Sequence, residues 1–448
     1  MRLRQRNQQR DDVLRRRLCA DDALLLAIGH QLDQPVIKAL DDTKQAVQNF
    51  GYRAHSKVID IGTKIYPVMF PMPEIRKGCG SVQQLPEILR SYGVHSPMIV
   101  TGPTIGKTIV PPIVAMLADQ GFACTVFDRT EANPSVTTVE KIRDLYRERG
   151  CDGFLAIGGG SPMDAAKIAA AAIAKPGQPI QKMAGMMRII AKVLPIICVP
   201  TTAGTGSEVT IGAVISDHDT HHKYAITAPC VTPKAAILDP ELTVSMPPFI
   251  TATTGVDALT HAVESYVTCM YNTDKTNKWC EDAVVSILWY LERAYNAPND
   301  MEAREQMLYA SCTAGLAFTC TGVGYVHGIA HALGGLYNTA HGLANSVILP
   351  IVLEDYGAAV YPKLARLAEL TEIQTSGTEA EKARAFIAAI RALNMRLGLP
   401  TGFDFIRQSD YEMIAKWALE ETNVNYPVPV LYDKVRLEHV LNRIILEA

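Results

Sequence analysis

The stretch GFLAIGGGSPMDAAKIAA, residues 153–170, decides how the first half of the chain folds. An apolar run typical of a buried strand leads into Gly158, Gly159 and Gly160, and a helix-favouring segment follows with Pro162 near its first turn. Glycine lets the backbone approach a ligand closely, and a helix N-terminus offers unpaired N–H groups to an anion. The stretch indicates a strand–turn–helix unit suited to phosphate. A tight turn without function fits equally, because neither G-x-G-x-x-G nor the P-loop pattern is present.

Short apolar runs alternate with helical patterns on both sides of this unit. The runs are MIVTG, ACTVFD, LPIICVPTT and AAILDP. Strands that alternate with helices imply a parallel sheet covered on both faces. After the double proline of SMPPFI the strand signals disappear, and helical periods continue to the C-terminus. We therefore predict an α/β domain over residues 71–247, an all-helical domain over residues 248–448 and a helical N-terminal extension over residues 1–70.

A second loop, VPTTAGTGSEVT, follows the strand predicted at residues 196–199. Its hydroxyl groups and glycines suit hydrogen bonding to phosphate, ribose or amide groups, although an ordinary loop has the same composition. Two such loops at the carboxyl ends of strands in one sheet point to a dinucleotide lying across those ends. The residues that the loop supplies are Thr201, Thr202, Gly204, Thr205, Gly206 and Ser207.

Polar residues interrupt an apolar, helix-favouring run in GVDALTHAVE, residues 255–264. Asp257 and His261 are four residues apart, so on a helix they project from the same face and can reach a common point. This is the geometry of a chelating pair. Two side chains that bridge each other on a solvated helix face would show the same spacing, so the pair alone decides nothing.

Three more histidines, His327, His331 and His341, follow in YVHGIAHALGGLYNTAHG. We expect Gly334 and Gly335 to stop the helix, so that the following turn brings His341 back towards the others. Histidines and a carboxylate without thiolates indicate a site for Fe²⁺, Zn²⁺, Mn²⁺ or Co²⁺. Iron is favoured, because four protein ligands saturate tetrahedral zinc, whereas Fe²⁺ keeps room for a substrate oxygen.

Composition limits the classes of partner. The formal net charge of -3 and the sequence pI of about 6.4 give no electrostatic basis for binding nucleic acid or an anionic membrane. Uninterrupted apolar windows are too short for a transmembrane helix. Ten cysteines without C-x-x-C spacing are typical of a reducing compartment, so we expect a cytoplasmic protein. The arginine-rich start is interrupted by aspartates, which favours a helical extension or assembly arm over a transit peptide.

These motifs, taken in order, give the chain a recognisable pattern. GGGSPMDAAK, PTTAGTGSE, GVDALTHAVE and HGIAHALGGLYNTAHG resemble the motifs of the iron-dependent (group III) alcohol dehydrogenase family, and the resemblance extends over about residues 71–445. It implies a dehydroquinate synthase-like fold: an α/β dinucleotide-binding domain followed by an all-α metal-binding domain. It also implies hydride transfer between NAD(H) or NADP(H) and a small primary alcohol or aldehyde, with Fe²⁺ or, in its place, Zn²⁺, in a homodimer or larger homo-oligomer.

The resemblance also implies roles for individual residues. Its metal ligands match Asp257, His261, His327 and His341. His331 matches a position that lines the substrate pocket without ligating, and we expect it to relay a proton, since histidine titrates near neutrality. The positions that match the family's cofactor-binding residues are Gly158, Gly159, Gly160, Ser161, Asp164, Thr201, Thr202, Thr205 and Lys223.

One position departs from the family's pattern. Many members carry an aspartate where this chain has Gly102, and such an aspartate would hydrogen-bond the adenosine ribose 2′-OH and repel a 2′-phosphate. With glycine there, we predict that NADP(H) is tolerated or preferred. The sequence does not identify the lysine or arginine that would bind the phosphate.

Three alternatives stay open at this point. A zinc-dependent polyol dehydrogenase of the glycerol type would keep the fold, and a metal-dependent hydrolase would use the histidines to activate water beside a merely structural glycine turn. A non-enzymatic assembly subunit is the third. For the substrate pocket, the expected apolar lining is Phe318, Val323 and Tyr325.

Overall fold

The computed structural model describes residues 72–217 and 222–446. The strands are β1 (Glu74–Lys77), β2 (Pro97–Val100), β3 (Thr125–Phe127), β4 (Gly153–Gly158), β5 (Gly185–Met186), β6 (Ile196–Pro200), β7 (Gly212–Asp217), β8 (His222–Thr227) and β9 (Ala235–Leu238). The helices are α1 (Leu85–Ser91), α2 (Pro103–Thr108), α3 (Val110–Asp119), α4 (Val136–Arg149), α5 (Gly160–Ala174), α6 (Pro248–Val267), α7 (Asp274–Asn296), α8 (Met301–Thr321), α9 (Tyr325–Tyr337), α10 (His341–Tyr356), α11 (Tyr361–Leu370), α12 (Glu379–Arg396), α13 (Tyr411–Asn425) and α14 (Lys434–Arg443).

A six-stranded sheet in the order β1-β9-β6-β4-β2-β3 forms the centre of the first half, and every neighbouring pair is parallel. All residues of the central strands β2, β4 and β6 are buried, because helices cover both faces. The predicted α/β class is therefore confirmed. Since the strands are parallel, the segments that follow β2, β4 and β6 emerge side by side at one edge of the sheet.

Helix α5 lies against this sheet through a face of small residues. Its alanines from Ala165 to Ala172 are nearly all fully buried, which allows the helix to approach the strands closely. Lys167 is buried among them and donates through Nζ to Ser207 Oγ, the Thr210 oxygens and Gly212 O at 2.8–3.0 Å. Four acceptors satisfy the buried ammonium, so Lys167 ties α5 to the threonine-rich loop.

A second, smaller sheet in the order β5-β8-β7 was not predicted, and neither was β1. Strands β7 and β8 pair antiparallel, while β5 adds only two residues to the edge of β8. Strand β5 is too short to show a pattern, and β7 (GAVISD) and β8 (HKYAIT) mix polar with apolar residues instead of forming a continuous apolar run.

The second half of the described chain is helical from Pro248 onwards, as predicted, and contains only an isolated bridge between Phe403 and Ile445. Helix α6 lies at its centre and is buried almost completely from Thr251 to Val267. It packs against α7, α8 and α10 around a single large hydrophobic core. A helix surrounded in this way can hold polar side chains out of water, which places Asp257 and His261 in a sheltered position.

One detail of the predicted helices was wrong. Helix α9 does not stop at Gly334 and Gly335 but continues to Tyr337 and ends at Asn338, which adopts a left-handed conformation with φ 52°. Asparagine tolerates this conformation better than most residues, so it can end a helix as glycine does. Gly334 instead makes room for the Lys223 side chain, because a Cβ at Gly334 would lie 2.5 Å from Lys223 Nζ.

The prediction for residues 1–70 lies outside the described residues, and the domain division at residues 247/248 stays a prediction. Within the described ranges, no single helix is long and apolar enough to cross a membrane. The bent pair 341–359 and 361–370 meets the length and composition criteria only when its two parts are combined.

Candidate active site

Four of the predicted polar residues come together in the helical half. Asp257 and His261 lie one turn apart on α6, His327 lies on α9, and His341 is the first residue of α10. One potential ligand atom from each side chain lies within 4.8 Å of the other three. The long sequence separations are closed by the packing of three helices, so the cluster is a product of the tertiary fold.

The distances within the cluster suit a shared cation. Asp257 Oδ1 lies 3.5 Å from His341 Nε2 and 3.9 Å from His327 Nε2, and Asp257 Oδ2 lies 4.0 Å from His261 Nδ1. Ligands held about 2.1 Å from one ion at tetrahedral or octahedral angles are roughly 3.0–3.4 Å apart, so a small contraction would close the shell. Buried His261 Nδ1 has no hydrogen-bond partner among the described residues, as expected of an atom whose partner is a metal.

Burial sets the charge of the cluster. It lowers the pKa of His327 and of His341 well below the usual range, and the neighbouring histidines lower both further. Burial also lowers the pKa of His261, although the Asp257 carboxylate opposes this, and it raises the pKa of Asp257. Neutral imidazoles carry the free lone pairs that bind metal, so the donor set is one carboxylate with three neutral nitrogens.

A buried carboxylate, Glu264, holds His327 from behind. Its Oε2 lies 2.6 Å from His327 Nδ1, and its Oε1 accepts from the Val326 N–H at 2.9 Å. Burial raises the pKa of Glu264, while hydrogen bonds from the backbone, including the one from Val326, oppose this rise and favour the carboxylate. Sequence analysis missed this residue, although the spacing of Asp257, His261 and Glu264 is i, i+4, i+7 and therefore places all three on one helix face.

Asn345 supports the other side of the cluster. It follows His341 by one helical turn, is fully buried and donates from Nδ2 to Asp257 Oδ1 at 2.7 Å. The same Nδ2 lies 3.3 Å from His341 Nε2. Its i+4 relation to a predicted ligand is the signal that could have identified it.

Aromatic rings border the cluster, but not all those expected. Phe318 is partly exposed and stacks on His261 with ring centroids 4.4 Å apart, so it lies beside the predicted ligands as anticipated for a pocket wall. Tyr325 is fully buried and stacks on Tyr432 at 4.0 Å. The expectation that Tyr325 lines the pocket was therefore wrong, because its ring belongs to the core. Val323 is also buried.

The glycine turn and the threonine-rich loop pack directly against each other. A Cβ on Gly159 would lie 3.2 Å from Thr202 Oγ1, and one on Gly160 would lie 2.9 Å from Thr205 Cγ2. Gly158 has φ 148°, which side chains rarely adopt. The turn therefore needs its glycines, and Ser161, in the first turn of α5, is partly exposed beside it.

Two predicted cofactor residues have internal partners. Asp164 accepts from Ser207 Oγ at 2.7 Å and from the Val214 N–H at 2.9 Å, so its carboxylate joins α5 to the loop and to β7. Thr201 is buried, with its N–H bonded to Gly158 O. Both residues support the shape of the turn, whereas Thr202 and Thr205 lie against its open side.

Lys223 bridges the two halves of the chain. It is buried, its Nζ donates to Asn133 Oδ1 at 2.7 Å, and Asn133 Nδ2 donates to Asn338 Oδ1 at 3.1 Å. Burial lowers the pKa of Lys223 to about 8. Asn133 was not predicted. Its φ of 57° is unusual for a residue other than glycine, and local strain of this kind is common at functional sites.

Close backbone approaches bring the predicted ligands beside the cofactor loops. A Cβ on Gly204 would lie 2.6 Å from Thr254 Cβ, one turn before Asp257 on α6. His331 lies beside the cluster, with its ring centroid 5.1 Å from that of His341 and 6.1 Å from that of His327. The arrangement defines a class: an oxidoreductase fold with a nucleotide-binding sheet edge facing a helical metal-binding cluster.

Comparisons with known proteins place the chain within that class. The family profile "Iron-containing alcohol dehydrogenase" matches residues 72–240, and "Fe-containing alcohol dehydrogenase family, C-terminal" matches residues 251–444. The NAD-dependent methanol dehydrogenase of Bacillus methanolicus is 36% identical over 348 residues, covering 77% of this chain and 91% of that protein. The lactaldehyde reductase of Escherichia coli is 32% identical over 371 residues, covering 81% and 96%.

Solved structures agree. A 1,3-propanediol oxidoreductase superposes with a TM-score of 0.80 at 32% identity, covering 84% of this chain and 99% of that one. The chain belongs to the iron-containing alcohol dehydrogenase family, as the resemblance implied. These findings do not favour the zinc polyol dehydrogenase alternative.

Proposed function

We propose that this protein transfers hydride between a nicotinamide dinucleotide and a small primary alcohol or aldehyde, with Fe²⁺ held by Asp257, His261, His327 and His341. The observation that carries the proposal is the convergence of these four donors within 4.8 Å beside the cofactor loops. Fe²⁺, or Zn²⁺ in its place, supplies a Lewis acid that polarises the substrate oxygen. Relatives named for methanol, lactaldehyde and 1,3-propanediol support a small substrate.

The chain itself would provide binding and orientation. The N-terminus of α5 and the glycine turn would take the pyrophosphate, with Ser161, Thr202 and Thr205 as further donors. Phe318, stacked on His261, would exclude water beside the reacting carbons. Because the turn and the cluster face each other, the nicotinamide and the substrate carbon can be held in contact.

His331 would move the proton. In alcohol oxidation the hydride, with its electron pair, would be taken up by a bound nicotinamide, and the hydroxyl proton would leave separately. His331 lies beside the donor cluster, where its ring stacks on that of His341 with centroids 5.1 Å apart, so its imidazole can take that proton on the substrate side. In aldehyde reduction the same group returns it.

An absorbance assay tests the proposal. Protein reconstituted with Fe²⁺ is mixed with butanal and either NADH or NADPH, and the fall at 340 nm is followed with a chelated sample as control. We expect aldehyde-dependent oxidation that the chelator abolishes. Absence of turnover with a panel of short aldehydes, despite bound metal and cofactor, would reject the proposed substrate class.

We further propose that the cofactor site accepts NADP(H). Gly102 caps α2 with φ −91° and offers no carboxylate, and a Cβ there would meet only Thr130 O, at 3.4 Å. Lys107 and Arg129 are exposed nearby, at α2 and directly after β3, and neither forms an ion pair among the described residues. The same segment carries the carboxylates of Asp128 and Glu131, but Glu131 accepts hydrogen bonds from the first residues of α4 and its N-cap, so we infer that the two cations favour a 2′-phosphate.

Cofactor preference is measured as the ratio of kcat/KM for NADPH to that for NADH. We expect Gly102→Asp to lower this ratio by about tenfold or more, because a carboxylate would repel the 2′-phosphate and bind the 2′-OH. Arg129→Ala is expected to lower it as well. Arg149→Ala is the control, since Arg149 ends α4 just before β4 and so lies at the opposite edge of the sheet. An unchanged ratio in Gly102→Asp contradicts this assignment.

Assembly as a homo-oligomer and a cytoplasmic location stay predictions from the sequence.

A further inference from the structure

His331 has a partly buried partner that the sequence did not reveal. Its Nδ1 lies 2.8 Å from Glu421 Oε1, and Tyr426 donates from its hydroxyl to the same carboxylate oxygen at 2.8 Å. Glu421 lies in the last turn of α13, and Tyr426 is the residue at which that helix ends. The three side chains form a hydrogen-bonded row that joins α9 to α13.

Solvent is largely kept from this row. The side chains of His331 and Glu421 are 13% and 19% exposed. Burial, and then the Glu421 carboxylate, raises the pKa of Tyr426 well above its usual value, so Tyr426 stays protonated and remains a donor. A carboxylate fixed by a phenol donor on one side accepts a second hydrogen bond from the imidazole on the other side.

The row determines how the His331 ring is presented. A carboxylate oxygen accepts hydrogen bonds, so Nδ1 carries the proton and Nε2 of the neutral ring keeps its lone pair. The two ring nitrogens point apart, which directs Nε2 away from Glu421. His341 stacks on one face of the His331 ring, with centroids 5.1 Å apart and an interplanar angle of 17°, and so restricts the rotation of that ring.

We propose that Glu421, held by Tyr426, is a positioning residue that fixes the tautomer and orientation of His331, so that Nε2 is presented to the substrate. The proposal rests on the proposed function for the role of His331, but the geometry of the pair is independent of it. In other enzymes, a carboxylate that accepts a hydrogen bond from histidine Nδ1 fixes the tautomer and orientation of a catalytic histidine in the same way. Among the described residues, the Glu421 side chain forms hydrogen bonds with His331 and Tyr426 and none with the predicted ligands or the cofactor loops.

Kinetics of four variants test the role. Glu421→Ala is expected to lower kcat by about ten- to hundred-fold with little change in KM. The substrate still binds, but the His331 imidazole is no longer held in its orientation. Glu421→Gln retains an acceptor at the same place and should recover most of that loss. Glu420→Ala is the matched control, because Glu420 is the preceding glutamate of the same helix but is exposed. Added acetate should partly restore Glu421→Ala and not His331→Ala.

A spectroscopic measurement keeps this proposal separate from the proposed function. In zinc-loaded protein with ¹⁵N-labelled histidine, the His331 signals, assigned by comparison with His331→Ala, should show a protonated Nδ1 in the wild type. That preference should be lost in Glu421→Ala. Absence of turnover in the wild type with every aldehyde would reject the proposed function. The ¹⁵N spectra would still decide whether Glu421 fixes the His331 tautomer. The same tautomer in both proteins, wild-type kcat in Glu421→Ala, or loss of its metal would overturn it.

Discussion

At the scale of single residues, the side chains behind the predicted ligands are as informative as the ligands themselves. Glu264 accepts from Val326 and contacts His327 Nδ1, which leaves His327 Nε2 to face the cluster. A carboxylate in this position fixes the histidine tautomer and makes the ring a stronger donor to a metal. Glu264 should therefore affect metal affinity without being a ligand.

We predict that Glu264→Ala weakens Fe²⁺ or Zn²⁺ binding by about 10- to 100-fold, and that Glu264→Gln weakens it less because an acceptor remains. Dissociation constants are measured by competition with a chromogenic chelator, with the exposed Glu420→Ala as control. Melting of the metal-free proteins separates a loss of affinity from a loss of folding. Unchanged affinity in a folded Glu264→Ala would show that Glu264 does not support the site.

A second buried carboxylate, Glu208, supports a prediction about pH. Burial raises the pKa of Glu208 to about 7, and one of its oxygens has no hydrogen-bond partner among the described residues. The folded protein therefore binds a proton more tightly than the unfolded chain, whose glutamate has a pKa of about 4.5. The stability that this proton provides is complete below pH 4.5 and is lost as the pH rises towards 7.

Glu208→Gln keeps the shape but cannot ionise, so it should be close to neutral at pH 5. At pH 8 it should raise the free energy of unfolding relative to the wild type by roughly 2–3 kcal/mol. Urea unfolding of both proteins at the two pH values gives the comparison. A gain of the same size at pH 5 and pH 8 would contradict a titrating Glu208.

The sequence predicted the four clustered donors because an aspartate and several histidines lie together in two apolar segments that match motifs of one family, whereas the spacing of Asp257 and His261 alone decided nothing. It did not identify Glu421, which lies 90 residues after His331 and meets it only through helix packing. Glu264 and Asn345 stood at helical spacings from predicted ligands, but an acidic or amide residue at such a spacing is common on any helix.

At the scale of elements, the contact between Gly206 and Gly315 decides how closely α8 approaches the threonine-rich loop. A Cβ on Gly315 would lie 2.9 Å from Gly206 Cα and O, and Gly206 has φ 61°. Two glycines let the loop that precedes Ser207–Val209 touch the helix backbone. The loop cannot move far from α8, since Gly204 on the same loop is packed against Thr254 of α6.

We predict that Gly315→Ala destabilises the protein by about 1–3 kcal/mol through overpacking, although the same change in an open helix would stabilise it by about 1 kcal/mol. Gly177→Ala is the control, because a Cβ at Gly177 would meet nothing within 4 Å. Thermal melting of both variants shows the sign. A higher melting temperature for Gly315→Ala would contradict this prediction, because it would mean that the threonine-rich loop shifts to accommodate the methyl group with little loss of stability.

Strands and helices were predictable where the sequence has a continuous apolar run or several helical periods. The buried runs of β2, β4, β6 and β9 and the helical second half follow from apolar runs and helical periods. The small sheet did not, because β5 has two residues and gains its hydrogen bonds only from β8. The end of α9 was misplaced because glycine ends helices often, whereas here a lysine from the other half requires the glycine.

At the scale of the whole molecule, the activity needs both halves of the chain. The sheet edge carries the glycine turn and the threonine-rich loop, and the helical half carries the donor cluster and His331. Lys223, Asn133 and Asn338 connect the halves by hydrogen bonds. We therefore propose that metal binding and proton transfer belong to different histidines that lie side by side.

The measurement that tests this assignment most directly is metal content together with aldehyde reduction in the wild type, His341→Ala and His331→Ala. Each protein is loaded with Fe²⁺, desalted and analysed by elemental mass spectrometry and at 340 nm. We expect about one iron per chain in the wild type and in His331→Ala, little in His341→Ala, and low kcat in both variants. Loss of iron from His331→Ala, or full retention by His341→Ala, would contradict the proposed site.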